Sequence, residues 1–176
     1  MILFLISGFL QAKSTRAFVE DFKAGNYAEV CRNGLKHYYG GRKDEIFVTM
    51  VGTSCAYVDN INPLGMLQKN LIGSAGARET ASYFSALVLQ KRLLYQFMLD
   101  DTKLDYLTLP YSSHILSLIM SHVSSGNYKT LSTSPKMIKI IDGEKTILLS
   151  VSDDEKHKIL VDVYEKATLV KRHWFQ

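Results

Sequence analysis

Residues 77–99 read ARETASYFSALVLQKRLLYQFML, and the rest of the chain is organised around them. The stretch has no proline and no glycine, and many of its residues are good helix formers. Wound at about 100° per residue, it gathers Arg78, Ser82, Ser85, Arg92 and Gln96 on one narrow stripe, interrupted only by Leu89. Ala81, Phe84, Val88, Leu94, Tyr95 and Met98 fall on the other faces. A helix apolar round most of its circumference is buried by neighbours on several sides. This one is expected to be the central core helix, about 35 Å long at 1.5 Å per residue. Arg78, Glu79, Lys91 and Arg92 argue against a membrane span.

Upstream, short helical patterns alternate with Gly/Asn breaks. Ser14 or Thr15 caps a helix over 16–24, and Gly25-Asn26 ends it. Residues 27–39 form a second helix, closed by Gly40-Gly41. Asp44 caps a third, over 45–59. Asn62-Pro63 turns the chain into a short helix over 64–72, with Pro at its first position. Gly73-Ser-Ala-Gly76 then precedes the central helix. Downstream, residues 105–109 read as extended, and Pro110 starts a helix over 111–124. The polar run 131–135 is a connector and the best internal boundary.

From Lys136 the periodicity changes. Residues 137–141 and 145–151 flank Asp142-Gly143, a hairpin signal because Asp-Gly accepts the positive φ angles of a type I′ turn. Residues 158–165 alternate, with Ile159, Val161 and Val163 on one face, and 167–175 make a fourth strand. Four strands alone are marginal. One face is therefore expected to pack on the helices, and the other to carry Lys, Glu and Asp.

Three segments result: a signal peptide-like segment at 1–12, a helical domain at 13–130, and a β-meander at 136–176 packed on the helices. The first rests on MILFLISGFLQA, an apolar run ending in a small residue, Ala12. It has no lysine or arginine ahead of it and is short for such a region. The reading it competes with is a buried N-terminal element of a cytoplasmic protein. About ten apolar residues are too few to cross the bilayer. The export reading places the protein in the periplasm or otherwise outside the cytoplasm.

Hydrophobic residues are 47% and charged residues 22%, a globular balance. The net charge of +4 is spread thinly. It suits an acidic partner or contact with a membrane surface, and lacks the clustered basic face of a nucleic-acid binder. Two cysteines provide neither a disulfide scaffold nor a zinc motif. Cys31 and Cys55 lie on adjacent helices, and their midpoint is residue 43, at the edge of the intervening turn. Residues equally far from the turn of an antiparallel hairpin face each other, so the pair is expected to form a disulfide in an oxidising compartment. It would contribute about 3 kcal/mol in the chain-entropy model. Two buried free thiols are the alternative.

The run AFVEDFKAGNYAEVCRNGLKHY, with Gly25-Asn26-Tyr27-Ala28 and Val30 at its corner, resembles a tetratricopeptide repeat. Asn62-Pro63-Leu64 follows about 36 residues later, near the family period of about 34. The first-helix signature is absent, and the second corner has Pro where the family has Tyr. The resemblance spans about residues 15–99. The fold class expected is α+β: antiparallel helical hairpins, tetratricopeptide-like, with a C-terminal antiparallel meander. Stacked hairpins of this kind bind other protein chains.

Catalytic and metal patterns are missing. His37, His114, His122, His157 and His173 show no HExxH or other metal spacing. Gly73-Ser-Ala-Gly76 lacks the Gly-Lys-Ser/Thr of a phosphate loop. Gly52-Thr-Ser-Cys55 lacks the second glycine of a nucleophile elbow. The acidic clusters Asp100, Asp101, Asp105 and Asp153-Asp154-Glu155 miss the spacing of a calcium loop. No catalytic residue, metal ligand or cofactor is assigned. Two basic-aromatic groups are candidate protein contacts: Tyr38, Tyr39, Arg42 and Lys43, and Lys171, Arg172 and Trp174. The function expected is a non-catalytic, exported adaptor or scaffold of the bacterial envelope, with protein partners in an envelope assembly. An envelope hydrolase or transferase without a readable motif, and a small-ligand carrier, remain open beside it.

Overall fold

The computed structural model describes residues 15–105 and 107–176. The signal-like segment and its cleavage point lie outside the described residues. The rest is mixed helix and strand: α1 Thr15–Lys23, α2 Tyr27–Tyr39, α3 Glu45–Tyr57, α4 Leu64–Leu67, α5 Ala75–Leu99 and α6 Ile115–Ser124, then strands β1 Lys129–Thr133, β2 Lys136–Asp142, β3 Lys145–Val151, β4 Ile159–Glu165 and β5 Thr168–Phe175.

α5 is the core helix its sequence describes. Arg78, Ser82, Ser85, Leu89, Arg92 and Gln96 are all exposed, while Phe84, Leu87, Leu94, Phe97 and Met98 are buried. Its N-cap is Ser74, whose hydroxyl accepts the Ala77 N–H at 3.1 Å. α2 and α3 form an antiparallel pair in front of it. Tyr27 stacks on Tyr57, Cys31 is bonded to Cys55, Gly34 meets Val51, and His37 lies beside Phe47. All four pairs are centred on residues 42–43, as the midpoint argument requires. The two cysteines are at disulfide distance, with Cα atoms 4.8 Å apart. Close approach is set by glycines. A Cβ on Gly34 would stand 2.3 Å from Val51 Cγ2, and one on Gly52 would stand 2.2 Å from Phe84 Cε2 on α5.

Several boundaries differ from expectation. The helix expected over 64–72 is α4 followed by a 3-10 turn, Gln68–Asn70. The helix expected from residue 111 begins only at Ile115. The segment before it is docked by tertiary bonds instead: Gln90 Nε2 donates to the Pro110 carbonyl at 2.8 Å, and His114 caps α6. The connector at 131–135 is in part a strand. β1 pairs with β2 through a bulge between Thr130 and Ser132, which makes the meander five-stranded. Asp142 pairs with Lys145, so the hairpin loop is Gly143-Glu144. Only Gly143, at φ 58°, is positive there, the sign pattern of type II′ rather than the expected I′.

The sheet, in order β1-β2-β3-β4-β5, puts Ile138, Ile140, Ile147, Leu149, Ile159, Val161 and Phe175 into the same hydrophobic core as the helices. Alternation along each strand gives this inward set. Polar side chains tie the last residues of the chain to the helices. Tyr95 Oη donates to the Phe175 carbonyl at 2.7 Å, and Lys91 Nζ donates to the Asn62 side chain and the Gln176 carbonyl. Lys136 Nζ reaches the Phe97 carbonyl at 2.5 Å and Asp101 at 2.9 Å.

Candidate functional site

Strand alternation also divides the two expected contact groups. On β5, Lys171 and His173 point toward the helices, while Arg172 and Trp174 point away. The outward face is not the Lys/Glu/Asp surface expected. Cross-strand pairing brings Met137, Ser150, Leu160 and Trp174 into one row, and Lys139, Leu148, Asp162 and Arg172 into the next. Ile141, Thr146, Tyr164 and Leu169 make a third. Trp174 is 49% exposed and Ile141 is 63% exposed, and no described element covers either. The one carboxylate on these rows, Asp162, accepts a two-pronged bond from Arg172 at 2.5 and 2.7 Å. Lys158 Nζ lies 5.1 Å over the Trp174 ring. With Lys129 and Lys139 at the β1 side, the face is apolar and aromatic with basic groups on it.

The other group holds the α2–α3 corner. Tyr38 is buried, accepts from Asn70 Nδ2 at 2.7 Å and donates to the Met66 carbonyl at 3.2 Å. Lys43 Nζ caps the Tyr38 carbonyl at 2.6 Å, from above the Tyr38 ring. Arg42 lies over Phe47, bonds Asp44 at 2.9 Å and donates to Thr15 Oγ1 at 3.0 Å. Arg42 and the Phe47 N–H, which bonds its carboxylate at 3.0 Å, outweigh partial burial and hold the Asp44 carboxyl below its usual range. Tyr39 is the exposed member of the group. At residues 72–76, the backbone amides of Ile72 and Gly73 cradle the chain's own Glu45 carboxylate. Chiefly the Gly73 amide keeps that carboxyl below its ordinary value.

A second surface was invisible in the sequence. Between the end of α3, the start of α6 and strands β3–β5 lies a cleft of about 530 Å³. Its floor is Asp59, His114 and His173, each about nine-tenths buried as a side chain. α3 ends in a Schellman motif: the Asn60 N–H bonds the Cys55 carbonyl at 2.9 Å, and the Asp59 N–H bonds the Ala56 carbonyl at 3.2 Å. Asp59 therefore occupies the left-handed position, at φ 61°, where glycine is usual. Its carboxylate receives His173 Nδ1 at 2.9 Å from both oxygens. A carboxylate only accepts, so Nδ1 carries the proton, and Nε2 has no protein partner among the described residues.

His114 has the opposite arrangement. Its Nδ1 accepts the Leu116 N–H at 3.2 Å, so the proton is on Nε2, which donates to the Ala56 carbonyl at 3.3 Å. Burial pushes its pKa below the usual histidine value, against the opposing pull of Ala56 and Asp59. His114 is thus a neutral helix cap, and His173 is the imidazole with a free nitrogen. Tyr57, Tyr83 and Tyr111 stand round the cleft. Burial raises the Tyr83 pKa, so its phenol stays protonated. Among the described residues, no group of three His, Cys, Asp or Glu side chains is placed to hold a metal ion. None of the described helices is long and apolar enough to cross a membrane.

Comparison with protein-family models, with curated proteins and with solved structures finds no match.

Proposed function

We propose that the protein is an exported adaptor of the bacterial envelope that binds another protein through the outward face of its sheet. The observation that carries this is the uncovered set of Met137, Ile141, Leu148, Leu160, Tyr164 and Trp174 across four strands. Residues of this kind at the centre of a face are what protein interfaces use. The occupant we commit to is a protein surface with an apolar strip flanked by carboxylates. Arg172 is paired with Asp162 and Lys158 with Asp154 at 3.8 Å, whereas Lys129 and Lys139 face outward with no carboxylate within ion-pair distance among the described residues. That excess favours an acidic partner and steers its approach. The Cys31–Cys55 pair supports a compartment in which disulfides persist. In this reading the helices, as antiparallel hairpins of the tetratricopeptide kind, are the frame that presents the sheet.

The test is a Leu148→Ser/Leu160→Ser variant, each position half-buried on the outward face. Solubilised envelopes are separated by size, and the protein is followed by its antibody. The wild type should migrate as a complex that added salt weakens, and the variant at its own mass with unchanged far-UV dichroism. A wild type that migrates alone, or binds only anionic vesicles, would refute the reading. So would a second copy of the chain as the only partner.

A further inference from the structure

We propose that the cleft floored by Asp59 and His173 binds a small uncharged aromatic molecule carrying a hydroxyl group, a phenol. The charges that line the cleft cancel, with Lys145 and Lys171 set against Asp59 and Glu165. Lys145 faces Glu165 at 3.7 Å, and Asp59 is engaged by His173. A charged ligand would give up its hydration there with no net charge to replace it, a cost that a neutral ligand escapes. What the cleft leaves open is one polar atom at its floor. The Asp59 carboxylate takes the His173 Nδ1–H at 2.9 Å from both oxygens, which leaves the lone pair on Nε2. Nε2 has no protein partner among the described residues, although the His173 side chain is about nine-tenths buried and lines the cleft. Both ring nitrogens of His114 are in use, on the Ala56 carbonyl and the Leu116 N–H. The unmet group is therefore an acceptor, and it calls for a donor on the ligand.

The walls supply the rest of the ligand's description. Tyr57, Tyr83 and Tyr111 stand round the opening, with Ile115, Leu118 and Val170 beside them. Tyr57 is stacked on Tyr27 at 4.4 Å and is still 57% exposed, so one wall is a ring already held in place with surface to spare. A water on Nε2 would meet the hydrogen bond and leave these rings uncovered. A planar ring seated among the tyrosines, with its hydroxyl donating to Nε2, uses both features.

The experiment is an NMR titration of the full chain at pH 8 with phenol, anisole and benzoate in parallel, read on the backbone amides and on the histidine ring nitrogens. Phenol is uncharged at that pH. In the free protein His173 Nε2 should resonate as an unprotonated nitrogen and Nδ1 as a protonated one. Phenol should bind saturably, with a Kd of about 1 mM for so small a probe. It should shift the amides around Tyr83, His114 and His173 and move the Nε2 resonance as an accepted hydrogen bond does. Anisole keeps the ring and the oxygen but lacks the donor, and should bind about fivefold more weakly. Benzoate, which is charged, should also bind more weakly than phenol. His173→Asn keeps an N–H for Asp59 at the Nδ1 position and has no atom at Nε2, so it should bind phenol with about the affinity of anisole for the wild type. The wild-type ring-nitrogen spectrum decides the matter if that variant does not fold. A protonated Nε2 in the free protein, equal binding of phenol and anisole, benzoate as the tightest of the three, absence of saturable shifts, phenol binding that leaves Nε2 unmoved, or an unchanged phenol Kd in folded His173→Asn would each overturn the proposal. The Leu148→Ser/Leu160→Ser variant should bind phenol normally, so failure here and failure of the adaptor reading are separate results.

Discussion

Replacing Asp59 with glycine separates two effects that the aspartate combines. The left-handed backbone at φ 61° costs an L-residue about 1 kcal/mol, less for Asp than for most, and glycine removes that cost. The carboxylate also accepts His173 Nδ1–H at 2.9 Å, and a hydrogen bond to a charged group contributes about 1.5–3 kcal/mol. His173 is only 7% exposed, so losing the acceptor leaves a buried donor unpaired. The balance predicts that Asp59→Gly destabilises by about 1 kcal/mol. Asp59→Ala loses the bond and keeps the strain, and should destabilise by about 3 kcal/mol. Asp59→Asn tolerates the backbone and keeps a neutral acceptor, so it should fall near the glycine variant. Urea denaturation at pH 7, with m-values checked for constancy, gives the three differences. In an Asp59→Gly, His173→Gln double-mutant cycle the two effects should couple. A glycine variant more stable than the wild type, with no coupling to His173, would show that the carboxylate–imidazole bond contributes nothing.

Three further outcomes are expected. Gly52→Ala puts a methyl group into the Phe84 ring at 2.2 Å and should destabilise by about 1–3 kcal/mol in the same denaturation assay, although alanine is the better helix former. The β4–β5 loop, Lys166-Ala167, has φ 47° and 69° at both positions, the type I′ pattern with neither Asn nor Gly, so Lys166→Asn/Ala167→Gly should raise stability by about 1 kcal/mol, read as a higher Tm. His114 is neutral in the fold with its pKa held below 6.5, so as pH falls through about 6.5 the unfolded chain takes up a proton that the folded chain does not. Stability from this group is complete above that pH and declines toward the folded value, with a limiting slope of about 1.4 kcal/mol per pH unit. His114→Asn keeps a helix cap and should flatten that part of a Tm profile from pH 7.5 to 5.

Much of the helical frame is readable from local chemistry. The exposed stripe on α5 follows from helical spacing, and the Cys31–Cys55 contact from equal distances to one turn. These succeed because each depends on residues within a helix or across one short loop. β1 was hidden because Leu131-Ser-Thr-Ser is polar, and an edge strand with a bulge needs no apolar alternation. The start of α6 was misplaced because Gln90 holds the Pro110 carbonyl, a long-range bond that Pro110 itself does not announce. The cleft was hidden most deeply, since Asp59 and His173 are 114 residues apart. Two faint signals existed. Asp59-Asn60 follows a helix without a glycine, a pair suited to a left-handed ending. His173 shares the parity of Phe175 on a strand whose other parity carries Arg172 and Trp174. Taking Lys171, Arg172 and Trp174 as one patch ignored that alternation.

Site-specific photo-crosslinking in the native envelope tests the central claim most directly. A photoreactive residue is placed at Leu160, beside Trp174 on the outward face, and at Ser82, on the exposed stripe of α5. The account predicts one discrete protein adduct from Leu160, suppressed by high salt, and none from Ser82. An adduct from Ser82 alone, or none from Leu160 under conditions that preserve the envelope, would contradict it.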